Sequence, residues 1–135
     1  MDRKTLDTIK TFIMKKIDPN FIIIFGSYIS GNIRPESDLD VAFYRDRHSL
    51  SAYDIFNLAQ ELTNLAGVPI DLIDLSMAST VFQAEILSSG QLLYAKDENL
   101  LEEYRMRIFG MYWRLNEERS EIIKNIKESG RVYEY

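Results

Sequence analysis

Helical and strand-like patterns alternate along these 135 residues, which predicts an α+β fold, α/β-like in its order, with helices flanking a small sheet. Three observations carry that expectation. Phe21–Phe25 (FIIIF) is a continuous apolar run, as expected of a strand covered on both faces. Residues 38–44 (DLDVAFY) and 68–75 (VPIDLIDL) are further strand-length segments that mix acidic and apolar positions. Residues 97–129 contain no Pro and one Gly, so a long C-terminal helix is the default there.

Taken in order, Leu6, Ile9, Phe12, Ile13 and Ile17 recur at helical spacing, and Pro19 closes that helix. The strand Phe21–Phe25 ends at Gly26. In 38–44, alternation puts Asp38, Asp40 and Ala42 on one face and Leu39, Val41 and Phe43 on the other. Ser51 starts a helix through Ile55, Leu58, Ala59, Leu62 and Leu65, with Asp54 as a capping-box partner and Gly67 as the stop. The strand 68–75 follows, then a short helix opened by Ser79-Thr80 and ended by Gly90. Leu92-Leu93-Tyr94 is the fourth strand. The apolar residues of the last helix, from Leu100 to Ile126, cover more than one stripe, so it should pack on its own domain and on something else. This divides the chain into a core, 1–95, and a helical extension, 96–135, within a single domain.

Composition narrows the chemistry. Sixteen Lys plus Arg against 21 Asp plus Glu give a net charge of −5, which disfavours a sequence-independent DNA or RNA binder. No apolar run is long enough for a membrane span, and the N-terminus lacks the pattern of a signal peptide, so a cytoplasmic location is expected. Without Cys there is no disulfide scaffold, thiolate nucleophile or Cys-ligated zinc, and the single His48 excludes a multi-histidine site. Carboxylates, hydroxyls and backbone remain.

The informative constellation is a strand, then Gly26-Ser27, then ten residues, then Asp38-Leu39-Asp40 on a second strand. Gly26 has no Cβ to keep a phosphate from the backbone. Ser27 offers a hydroxyl where a short helix would start, and free amides there favour an anion. Asp38 and Asp40 point to the same strand face, where two carboxylates repel each other unless a cation lies between them. A divalent ion bridging such carboxylates and a triphosphate is the usual arrangement for nucleotidyl transfer. A third carboxylate would complete the site, and Asp71 and Asp74 are both candidates on opposite faces of one strand.

GSYISGNIRPESDLD, followed by VPIDLIDL and ASTVFQAEILSSGQLLY, resembles the minimal nucleotidyltransferases of the DNA polymerase β superfamily. The likeness, from about Asn20 to Tyr94, is strongest to the antitoxin (MntA) branch, encoded beside a HEPN-type toxin, HepT. It implies a polymerase β-type fold with a small mixed sheet. It also implies that Gly26 and Ser27 hold the triphosphate of ATP, and that Asp38 and Asp40 bind Mg2+ at a two-metal site. In the family the third acid is followed by Leu-Val or Leu-Ile, which selects Asp71, as metal ligand and acceptor of the attacking hydroxyl's proton. Position agrees: Asp71 lies inside the apolar run, where an unpaired carboxylate is costly, whereas Asp74 lies near the exit, within reach of water. Many members carry Ala-Arg before the second glycine; this chain has Ile29-Ser30 before Gly31, which leaves Arg34 as the nearest cation for the triphosphate.

The function so implied is transfer of AMP to a tyrosine hydroxyl of a HEPN-type RNase toxin, within a hetero-oligomer. Two alternatives stand beside it: a binding-only antitoxin acting by occlusion, and a nucleotidyltransferase for a small molecule such as an aminoglycoside. Plainer roles suit the other residues. His48 lies in a polar loop, Tyr28 and Tyr44 read as packing, Asp74 as a solvent-facing or cap-forming group, and Glu117-Glu118-Arg119 as a solvated helix face.

Overall fold

A computed structural model describes residues 3–27 and 38–129. Helix α1 (Arg3–Lys16) leads into strand β1 (Phe21–Phe25), and β2 (Leu39–Tyr44) follows. Next come α2 (Ala52–Ala66), β3 (Ile70–Asp74), a 3-10 turn (Leu75–Met77), α3 (Thr80–Ser89), β4 (Gln91–Ala95) and α4 (Glu98–Ser129). The four strands form one mixed sheet in the order β3-β2-β1-β4. β1 runs antiparallel to β2 and β4, with a register shift against β4 at Ile22/Ile23, while β2 and β3 are parallel.

The sheet is a middle layer. On one face, α1 and α2 pack Ile9, Phe12, Ile13 and Leu62 against Ile22, Ile24, Leu39, Val41, Phe43, Ile70 and Leu72. On the other, α3 and the first half of α4 pack Ala84, Ile86, Leu87, Leu101, Tyr104 and Ile108 against Phe21, Ile23, Phe25 and Ala42. Every residue of β1 is therefore buried, the reason for its unbroken apolar run.

Local chemistry sets the boundaries. Ser51 caps α2 by accepting from Asp54 N–H, and Gly67 ends it in the left-handed conformation (φ 76°) that its missing Cβ permits. Ser79 caps α3 through Phe82 N–H, and Asp97 holds the first turn of α4 through Asn99 N–H at 2.9 Å. Strand β3 is shorter than expected at both ends, because Asp74 already caps the 3-10 turn: its Oδ1 accepts from Ser76 N (3.1 Å) and Ser76 Oγ (2.7 Å).

At one end of the sheet, three loops meet on Asp18. Its carboxylate accepts from Arg47 at 2.6 Å and Lys96 at 2.8 Å. These hydrogen bonds, Lys96 first, hold the Asp18 carboxyl below the usual carboxylate range. Past Tyr112, α4 runs clear of the core with Trp113, Leu115, Ile122 and Ile123 exposed. No helix among the described residues is long and apolar enough to cross a membrane.

Candidate active site

The end of β1 opposite Asp18 holds the expected residues. After Phe25 the chain turns at Gly26 with φ 84°, a conformation that L side chains rarely adopt. A Cβ there would overlap the Asp40 carboxylate, so the glycine is required twice over, by its torsion and by the acid beside it. Ser27 is partly exposed and already helical in conformation. Tyr28, Ile29, Ser30, Gly31 and Arg34 lie outside the described residues, and with them the expected cation for the triphosphate.

Register brings the carboxylates together. Asp40 pairs with Phe25 across the antiparallel ladder and with Asp71 across the parallel one. Because the ladder is in register, Asp40 and Asp71 project from the same face, on the side of α3, as neighbouring rungs. Burial first, then the negative charges of Asp71 and Asp38 and a hydrogen bond with the Asp71 side chain, push the Asp40 carboxyl up to about 6 from its ordinary 3.8. Asp38 is exposed, one residue before β2 begins. Among the described residues, no three ligating side chains are gathered closely enough to hold a metal ion, so the expected trio stands as a close pair, Asp40 and Asp71, with Asp38 further out.

Of the two acids of β3, the register puts Asp71 beside Asp40, while the burial expected of the two acids is reversed. Asp71 is exposed, while Asp74 is 5% exposed. Asp71 reaches solvent because β3 is an edge strand and its side chain faces an open cleft; Asp74 is covered because it folds back to cap the 3-10 turn. Asp74 is thus cap-forming but not solvent-facing. Tyr44 packs against Phe21 and Tyr104 at ring distances of 5.3 and 4.3 Å, in keeping with a packing role, and His48 is an exposed loop residue.

The cleft above the acids, about 640 Å³, is bounded by Gly26, Asp40 and Asp71 on the sheet side and by Phe82, Glu85 and Ser89 of α3 on the other. Phe82 meets Phe25 edge-on at 5.8 Å and closes its floor. Glu85 and Ser89 were missed by the sequence reading; their signal is their spacing four apart on α3, which puts both on one face of that helix. In the core on this side of the sheet, the Tyr104 hydroxyl donates to Gln83 Oε1, and burial pushes this phenol up to about 12, which keeps it a donor.

A turn without a Cβ beside two in-register carboxylates, on a small mixed sheet between helices, defines a nucleotidyltransferase-type domain. The chain belongs to the polymerase beta nucleotidyltransferase family, whose sequence pattern matches residues 7–99. Within that family it resembles the MntA proteins: the protein adenylyltransferase MntA of Shewanella oneidensis is 31% identical over 105 residues, 78% of this chain and 74% of that protein. Solved structures agree over nearly the full length. A toxin–antitoxin crystal structure with AMP-PNP superposes with a TM-score of 0.78 at 28% identity, covering 90% of this chain and 98% of the other. A structure of tri-AMPylated Shewanella oneidensis HEPN toxin in complex with MNT antitoxin gives a TM-score of 0.76 at 26% identity, over 94% of this chain and 99% of that one.

Proposed function

We propose that this chain is an antitoxin nucleotidyltransferase that moves AMP from ATP onto a tyrosine hydroxyl of a cognate HEPN-type RNase toxin and so neutralises it. The observation that carries the reading is the in-register pair Asp40–Asp71 beside the Gly26 turn. The relatives supply the acceptor: one is named a protein adenylyltransferase, and one structure holds an AMPylated HEPN toxin with its antitoxin. Working beside such a partner, the protein would act in the cytoplasm.

In this reading, the Gly26 backbone and the Ser27 hydroxyl hold the β- and γ-phosphates, at a turn where no Cβ intrudes. Asp40, Asp71 and Asp38 would hold Mg2+. The donor set suits a hard divalent ion: all ligands are carboxylate oxygens, and the raised Asp40 carboxyl marks a crowded negative site that a cation relieves. When bound, the metal neutralises charge on the triphosphate and on the departing group. The tyrosine oxygen attacks the α-phosphorus, the bond from that phosphorus to the bridging oxygen breaks, and pyrophosphate leaves. Asp71, exposed at the sheet edge, accepts the phenol proton as the new P–O bond forms.

The test is incubation of the protein with labelled ATP, Mg2+ and its purified HEPN toxin, followed by intact mass. Toxin heavier by whole adenylyl groups, with pyrophosphate released, is the expected result. Toxin that is inhibited but unmodified would mean occlusion instead.

A further inference from the structure

A second cleft of about 640 Å³ lies on the other side of Asp71, between α2 and the outer edge of β3. Its walls are apolar: Ile55 and Phe56 from α2, Met77 from the 3-10 turn, and Phe82 from α3. Phe56 and Met77 are 62% and 71% exposed, an unusual cost for large apolar groups unless something covers them. The described charged residues lining this groove are all acids, Asp38, Asp71 and Asp74. The first cleft has an acidic charged lining too, Asp40, Asp71 and Glu85, but it holds the Gly26 turn, and this groove has no such turn to receive a phosphate.

We propose that this groove is the acceptor subsite, and that its occupant is an extended segment of the partner protein carrying the tyrosine to be modified. The proposal rests on the adenylyl-transfer reading above. Three features select this occupant. The groove is continuous with the catalytic acids, since Asp71 lines both clefts, so a side chain seated here ends beside the proposed proton acceptor. Strand β3 is the edge of the sheet and pairs with a strand on the β2 side alone; of its outer groups the Ile70 N–H donates to Thr63 Oγ1 of α2 at 3.0 Å, and the backbone at Leu72 faces the side where a strand could be added. Phe56, Phe82 and the Met77 sulfur offer ring and thioether contacts for a phenol while leaving its hydroxyl directed at carboxylates. The two exposed acids at its rim, Asp38 and Asp71, favour a basic peptide segment.

Phe56→Ser and Met77→Ser test this, because both side chains are exposed and their loss leaves the cores intact; unchanged melting temperatures verify it. With HEPN toxin as acceptor, each should raise the acceptor KM by about tenfold and leave the KM for ATP within about twofold. An unchanged acceptor KM, or an equal rise for ATP, overturns the assignment. Amide hydrogen exchange of the wild-type chain with and without the toxin supplies a readout independent of turnover. Slowed exchange in β3 and along the groove side of α2 is expected, and its absence overturns the subsite. If the wild type transfers no AMP, the enzymatic reading fails, and the exchange result alone decides whether the groove docks the partner.

Discussion

Replacing Asp40 with Asn should make the metal-free protein more stable at neutral pH, contrary to the usual effect of altering a partly buried residue. The carboxyl is pushed up to about 6 from 3.8 by burial and by two neighbouring acids, so the folded state binds a proton more tightly than the unfolded chain. The stabilisation is therefore complete below about pH 3.8 and is lost as pH rises through about 6. At about 1.4 kcal/mol per pH unit, that interval corresponds to about 3 kcal/mol, and screening of a partly exposed group by water reduces it to about 1–2 kcal/mol. Asn keeps the shape and hydrogen-bonding capacity without the charge. Thermal unfolding from pH 4 to pH 7.5, in chelator, should show the variant gaining on the wild type as pH rises, by about 3–8 °C at the upper end. Added Mg2+ should then raise the melting temperature of the wild type and not of the variant. A difference between the two proteins that does not change with pH, or a variant less stable at pH 7.5, would refute the repulsion argument.

Ser27→Ala should lower kcat/KM for ATP by about ten- to a hundredfold, the loss of one charge-assisted hydrogen bond to phosphate, read at subsaturating ATP. Gly26→Ala should abolish transfer and lower stability together, since the new methyl group meets the Asp40 carboxylate and the torsion is unfavourable; calorimetry and activity on one preparation check both. Asp71→Asn should remove nearly all transfer and, in chelator at neutral pH, raise the melting temperature slightly, since one of the charges facing Asp40 is gone. Asp74→Ala should behave in the opposite sense, costing about 1 kcal/mol as the cap of the 3-10 turn is lost while the chemistry persists.

Much of this was legible in the sequence because its signals are local. The unbroken FIIIF run, Ser51 with Asp54, Gly67, Ser79 and Gly90 each reflect a physical demand that one short segment satisfies, and the elements fall within a few residues of expectation. Alternation also separated Asp40 and Ala42 from Leu39, Val41 and Phe43 correctly, since pleating is a local property. Which strand lies beside which is not local. The pairing of Asp40 with Asp71 depends on the parallel register, and the exposure of Asp71 on β3 being an edge. An apolar run in sequence does not reveal whether its strand has a neighbour on both sides, which is why Asp71 and Asp74 exchange their expected burial. Glu85 and Ser89 escaped for the same reason: their helix meets the acids only through tertiary packing.

The two ends of the sheet treat an aspartate in opposite ways. Asp18 lies exposed where three loops meet, and the protein supplies it with Arg47 and Lys96, which hold its carboxyl low. Asp40, at the other end, receives two further acids, and every charged group described as acting on it pushes its carboxyl up. Uncompensated charge of this kind lowers the stability of the fold, and the chain could have removed it with a single change to Asn. Its position beside the Gly26 turn, in a cleft, gives the cost a use in the proposed reaction, in which the positive charge would arrive with the nucleotide.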